Sequence, residues 1–152
     1  MFLLAAVLLM GLASTQKVTR LTFCSVDDRH LRMDCKYEPA ADSPEATCKY
    51  TQGDRTLDAT DPGEPQDPAY KNRAKVRIID GNYCQLRFDN LPEGKNNFTC
   101  TVKQTETAAM TAVLDKRLLL PCSAWSVSLQ RGTTGTLLAV CCLPGLLHIA
   151  GL

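Results

Sequence analysis

His30-Leu31-Arg32-Met33-Asp34-Cys35-Lys36 alternates apolar and polar residues, so that Leu31, Met33 and Cys35 share one face. This period of two belongs to a half-buried β-strand. Upstream, Lys17-Val-Thr-Arg-Leu-Thr-Phe-Cys24 repeats the habit. Downstream, Ala74-Lys-Val-Arg-Ile-Ile79, the turn Asp80-Gly-Asn82 and Tyr83-Cys-Gln-Leu-Arg-Phe-Asp89 follow, with Cys84, Leu86 and Phe88 pointing the same way. Further strands are expected over residues 46–51, 97–104 and 110–118, and Pro39-Ala-Ala-Asp-Ser-Pro44 is a turn. The stretch 53–68 is rich in Asp, Gly and Pro and reads as an exposed loop. No segment shows a 3.6-residue period with helix caps, and no internal repeat is visible. Seven or eight short strands in about a hundred residues predict an all-β, two-sheet sandwich.

That patterned region is flanked by two apolar ends of a 152-residue chain. Residues 2–12 are an uncharged run of signal-peptide length, too short for a membrane span, and Ala13-Ser-Thr15 supplies small residues for cleavage. Residues 1–15 therefore read as a signal peptide and 16–122 as the single domain. Residues 137–152 give an apolar ending interrupted by Pro144, Gly145 and His148, with no Lys or Arg behind it to hold a cytoplasmic flank. Small residues at Cys122-Ser123-Ala124 and a polar spacer over 125–136 precede that ending. The arrangement matches a glycosylphosphatidylinositol (GPI) signal, whose propeptide, residues 123–152, is removed on maturation. A poor single-pass helix palmitoylated at Cys141 and Cys142 is the alternative.

All 16 Asp and Glu, and every one of the 17 Lys and Arg except Arg131, fall in the domain. A balanced core lacks the basic excess of a nucleic-acid binder. With 45% hydrophobic and 22% charged residues it also lacks the composition of a disordered chain.

Six of the 8 cysteines lie in the domain: Cys24, Cys35, Cys48, Cys84, Cys100 and Cys122. Behind an apolar leader, such a density describes an oxidised extracellular domain. No C-x-x-C pair is present, so zinc and redox motifs find no support and no metal site or cofactor is expected. Six cysteines admit fifteen pairings. Cys35 and Cys100 are 65 residues apart, and Phe98-Thr-Cys100 resembles the Tyr-x-Cys ending of the immunoglobulin F strand. With Cys35 on strand B and Cys100 on strand F, this is the variable-type immunoglobulin pattern. Cys48 stands where such domains place a buried Trp. Cys84 projects from the inner face of the E strand in the opposite sheet, so a Cys48–Cys84 bridge across the core is geometrically reasonable. Phe98 lacks the hydroxyl of the tyrosine corner and Glu93-Gly-Lys-Asn96 lacks the usual Asp, so that corner must be held otherwise.

Gln16-Lys-Val-Thr-Arg-Leu-Thr-Phe-Cys24, Leu31-Arg-Met-Asp-Cys35, Phe98-Thr-Cys100 and Ala112-Val-Leu-Asp-Lys116 ahead of Cys122 together resemble the Thy-1 family of membrane glycoproteins, across essentially the whole domain. The resemblance implies a glycosylated variable-like domain, lipid-anchored on the outer leaflet of the plasma membrane. It implies pairing of Cys24 with Cys122 and of Cys35 with Cys100, and attachment of the anchor at Cys122. The double use is consistent, because the lipid is amide-linked through the main-chain carboxyl and leaves the thiol for a bridge. Cys48 and Cys84 are additions to the family pattern. Cys122-Ser-Ala replaces the family's Cys-Glu-Gly, which makes Ser123 a rival anchor site.

Few residues carry recognisable chemistry. Asn97-Phe98-Thr99 is the standard N-glycosylation sequon, and alternation relative to Cys100 turns Asn97 outward. Asn82-Tyr-Cys84 is a non-standard acceptor whose cysteine is expected to be bridged. Arg32-Met33-Asp34 occupies the place of the family's Arg-Leu-Asp tripeptide, which resembles an integrin ligand; a plain solvated strand face explains the same residues. Lys71, Arg73, Lys75 and Arg77 alternate into a basic stripe, suited to sulfated glycans or to keeping a sheet edge from aggregating. With His30 alone in the domain, no Gly-rich phosphate loop and no Ser/His/Asp motif, catalysis is not expected. Two functions remain: a GPI-anchored surface module for adhesion and lateral signalling, with integrins or other adhesion proteins as partners, and a secreted ligand or decoy. A steric glycoprotein is a third.

Overall fold

The computed structural model describes residues 15–124. Apart from Thr15, the expected leader lies outside the described residues, as do the spacer and apolar ending from Trp125 onward with Cys141 and Cys142.

Eight strands follow one another: β1 (Lys17–Ser25), β2 (Leu31–Glu38), β3 (Thr47–Gln52), β4 (Arg55–Ala59), β5 (Ala74–Ile79), β6 (Tyr83–Phe88), β7 (Lys95–Lys103) and β8 (Thr107–Asp115). They form two antiparallel four-stranded sheets, in the orders β1-β2-β6-β5 and β4-β3-β7-β8. In immunoglobulin lettering these are A-B-E-D and C′-C-F-G. The chain is thus an all-β, immunoglobulin variable-like sandwich. Strand C″ of the full variable set has no counterpart among the described residues; a 3₁₀ turn at Pro68–Tyr70 precedes β5 instead.

The alternating apolar residues fill the space between the sheets. Leu31, Met33 and Cys35 of β2 lie beside Leu86 and Phe88 of β6 on the inner face of the first sheet, while Tyr50, Phe98, Cys100, Val102 and Leu114 close the core from the other sheet; all are essentially inaccessible. Burying side chains of this size contributes about 1.5–3 kcal/mol each before chain entropy is counted. Three disulfides add covalent ties: Cys24–Cys122, Cys35–Cys100 and Cys48–Cys84, with Cα–Cα distances of 4.8, 6.5 and 6.3 Å. The last two cross the core between the sheets. Cys84 has Cys35 as its register partner, so the two bridges pass through the middle of the sandwich side by side.

The expected loop over 53–68 needs correction, because β4 lies inside it. Leu57 is its single large apolar residue and is fully buried, so one anchor suffices to dock a strand that otherwise looks like loop. The last two strands also move: β7 begins two residues before residue 97, and β8 begins three before and ends three before the expected 110–118. Asp115 ends β8 by accepting from the Arg117 amide, which opens a 3₁₀ turn over Lys116–Leu118.

The corner before β7 is held without a tyrosine hydroxyl. The Asn96 amide donates to the Glu93 carbonyl at 2.9 Å and accepts from Gln52 at 2.9 Å. Phe98 instead packs against Phe23, with ring centroids 6.1 Å apart.

Candidate functional site

The outer face of the first sheet carries most of the chemistry. Its strand order brings together side chains that are far apart in sequence. Arg32 on β2 lies opposite Arg87 on β6, which lies opposite Lys75 on β5. In the next row Thr22, Asp34, Gln85 and Arg77 are in register, and in the third Arg20, Lys36, Tyr83 and Ile79.

Arg32 and Asp34 share this face, as two residues apart on a strand must. They are joined to each other: Arg32 Nε donates to Asp34 Oδ2 at 2.9 Å. The second carboxylate oxygen accepts from Gln85 Nε2 at 2.9 Å, and Gln85 Oε1 accepts from Arg77 at 3.0 Å. The Asp34 side chain is 17% exposed and its Arg32 partner 34%. Met33 faces the opposite way and is fully buried, so it belongs to the core and cannot touch a ligand while the strand is intact. The geometry therefore divides the tripeptide into one core residue and one ion pair. For a receptor to take both charges, the pair must open, which for partly exposed groups costs about 1 kcal/mol or less.

Beside the pair, Arg20 Nη2 donates to the Tyr83 hydroxyl at 3.1 Å, and the Lys36 ammonium stands 4.5 Å from the Tyr83 ring centroid while donating to the Gly81 carbonyl. Arg20, Cys24, Arg32, Asp34, Ile79 and Tyr83 are among the residues lining a shallow groove of about 330 Å³. The basic stripe expected along one strand is shorter than the sequence suggested. Lys75 and Arg77 lie on β5, but Lys71 and Arg73 precede it in the turn after Tyr70.

Asn97 lies on β7 with its side chain exposed, between the inward neighbours Asn96 and Phe98. Thr99, the hydroxyl position of the sequon, shares a 2.7 Å hydrogen bond with Thr111 on β8. Asn82 takes a positive φ of 60° in the β5–β6 turn, and Cys84 is bridged.

At one end of the sandwich the chain's last described residues are fastened to its first strand. Ser25 pairs with Pro121, the Ser25 amide donates to the Leu120 carbonyl, and the Cys122 amide donates to the Ser25 carbonyl, each at 2.9 Å. The Cys24–Cys122 bridge closes the same junction. Cys122 is half-buried and Ser123 is exposed. Nearby, Asp27 receives the main-chain amides of Arg29 and His30 and the His30 ring; the Arg29 amide, followed by the His30 ring, holds its carboxyl below the usual carboxylate range. Among the described residues no group of three or more His, Cys, Asp or Glu is placed to hold a metal ion.

No family model matches this chain, and no curated protein is similar to it. Solved structures with a similar course include the RIG-5 IG1 homodimer, 16% identical over 67% of this chain and 97% of that one, with a TM-score of 0.47. Another is a conjugative transposon lipoprotein from Bacteroides eggerthii, 12% identical over 67% and 98%, with a TM-score of 0.39.

Proposed function

We propose that this chain is a GPI-anchored cell-surface glycoprotein of the Thy-1 type, acting by contact in adhesion and influencing signalling laterally. Integrins or other adhesion proteins are its partners, and Arg32 and Asp34 supply the charges they engage. The observation that carries the reading is the junction of Ser25 with Pro121 and Cys122. The pairing of Ser25 with Pro121, the amide bonds between Ser25, Leu120 and Cys122, and the Cys24–Cys122 bridge all lie at or before Cys122, so cleavage after Cys122, or after Ser123, leaves them in place; the Ala124 amide's bond to the Pro121 carbonyl is lost. The Cys122 thiol is spent on the bridge to Cys24, and its main-chain carboxyl is left for amide linkage to the lipid. Enzyme chemistry has no part in this mechanism.

Cells expressing the full chain test the reading. Treatment with a phosphatidylinositol-specific phospholipase should release the protein, and the Cys24–Cys122 peptide pair should carry an ethanolamine remnant on Cys122 or Ser123. Spontaneous appearance in the medium without the enzyme would establish the secreted ligand instead. A mature chain that retains Leu152 would end the proposal.

A further inference from the structure

The row Arg32, Arg87, Lys75 sets three cations abreast on three adjacent strands of the first sheet. Like charges directly opposite one another destabilise a sheet. Edge protection accounts for Lys75 and Arg77, which sit on the edge strand β5. It does not account for Arg87 and Arg32, which sit on the inner strands β6 and β2. Among the described residues Arg87 and Lys75 have no carboxylate partner, and both are exposed. With Arg20, Lys36 and Arg77 in the neighbouring rows, six cations share a face whose central carboxylate, Asp34, is already taken by Arg32 and Gln85. Glu38, at the far end of β2, is occupied by Lys17 at 3.0 Å. Asp80 and Asp89 stand only in the turns at the two ends of β6.

We propose that this face binds a sulfated polysaccharide, with Arg87, Lys75 and Arg77 holding sulfate groups and the groove beside Tyr83 holding a sugar ring. The cations repeat about every 5 Å across the strands and about 7 Å along them. That grid suits a stiff polymer with a dense, permanently ionised series of anions. Four of the six cations are arginines, whose planar fork matches the oxygens of a sulfate. The groove sets apolar atoms of Ile79 beside the Tyr83 ring, which also carries Lys36 at 4.5 Å, a small surface against which the C–H face of a pyranose rests while its sulfates meet the cations. Bound sulfates relieve the repulsion in the row. The groove adjoins the lipid junction through Cys24, but none of the six cations belongs to that junction, so the site does not depend on the anchor.

The test uses the full chain, expressed in animal cells and purified in detergent, on immobilised heparin. Retention is expected at an ionic strength of about 0.15 M. The double variant Arg87→Thr/Lys75→Thr should lose about tenfold in affinity, as the loss of two exposed charge contacts implies. Its thermal midpoint should be equal to the parent's or higher, because the like-charge row is gone; should that variant fail to fold, Arg87→Gln alone should still elute earlier. Removing the same charge from the other sheet, with Lys95→Thr/Lys103→Thr, should leave elution unchanged. Passage of the parent protein through the column would overturn the proposal. So would equal losses from the two double variants, or displacement by polyglutamate as effective as by soluble heparin, which would point to an acidic protein.

Discussion

The Tyr50 hydroxyl donates to the main-chain carbonyl of Cys84 at 2.8 Å, reaching from β3 in one sheet to β6 in the other, with the Met33 carbonyl of β2 at 3.3 Å. Two residues before Tyr50 on the same inward face, Cys48 is bridged to the same Cys84. Cys84 is thus held from the opposite sheet both by its sulfur and by its carbonyl. In variable-type domains this place is filled by a tryptophan packed on a single bridge. Here a smaller pair, one covalent and one polar, spans the gap. Tyr50→Phe keeps the ring and removes the hydroxyl, so it should cost about 1 kcal/mol, or up to about 3 if the carbonyls it leaves find no water. Chemical denaturation of the oxidised protein measures this.

The same phenol should set an alkaline limit. Burial, and secondarily the charge of Asp34, pushes Tyr50 well above the ordinary phenol range. A group whose folded pKa lies above its unfolded value contributes stability that is complete below the unfolded value and declines as pH rises past it. Stability should therefore fall above about pH 10. Tyr50→Phe should flatten that part of the curve. In an ultraviolet titration of the folded parent, one of the 4 tyrosines should resist ionisation until the protein unfolds. Ionisation of all of them in the native state would contradict the buried geometry.

Replacing Cys48 and Cys84 together with Ala opens a loop with a sequence separation of 36. Loop-closure entropy assigns such a bridge about 4 kcal/mol. The variant should remain folded on the Cys35–Cys100 and Cys24–Cys122 bridges but melt well below the parent. Combined with Tyr50→Phe, its effect should be non-additive, because the hydroxyl bond depends on the position of the Cys84 carbonyl. Strict additivity in a double-mutant cycle would show that the two ties act independently.

Strands β2, β5 and β6 were legible in the sequence because one buried face repeats at least twice along each of them. Strand β4 was hidden because Leu57 is its lone apolar anchor amid Asp, Thr and Arg. A signal did exist: Gly53-Asp54 is a two-residue hairpin connection, and Gly53 adopts the positive φ, 58°, that such a turn requires. Composition read as loop therefore outweighed a turn that would have announced a returning strand. The pairing of Cys24 with Cys122 and of Cys35 with Cys100 came from the family resemblance, since six cysteines by themselves admit fifteen pairings. The cationic rows were not legible, since Arg32, Arg87 and Lys75 become neighbours only through the order β1-β2-β6-β5. Nor could alternation reveal that Arg32 and Asp34 spend their charges on each other.

Asn97 should carry the chain's sugar. It is exposed on β7, and a glycan there projects away from the core residues Phe98 and Cys100. Asn97→Gln should give a single downward mass step in cell-expressed protein, equal to that produced by enzymatic deglycosylation, with little change in melting. Thr99→Ala should give the same mass step and a slightly lower midpoint, because it also removes the 2.7 Å bond to Thr111. A glycosylated Asn97→Gln protein would transfer the sugar to another residue.

Asp34→Ala separates the two ligands proposed for the outer face. Asp34 is at once the acidic half of the expected adhesion tripeptide and the carboxylate that neutralises Arg32. An integrin reaching for the tripeptide needs this carboxylate to meet its metal ion, so attachment of integrin-bearing cells to the immobilised variant should fall to background. A sulfated polysaccharide meets only repulsion from Asp34, so the same substitution should delay elution from heparin. Gln85 loses one partner and keeps its bond to Arg77, which limits the structural cost to about 1–2 kcal/mol and leaves the bridges intact. Unchanged cell attachment would remove Arg32-Met33-Asp34 from the adhesion mechanism, and the buried Met33 already makes a linear reading of that tripeptide impossible without opening β2.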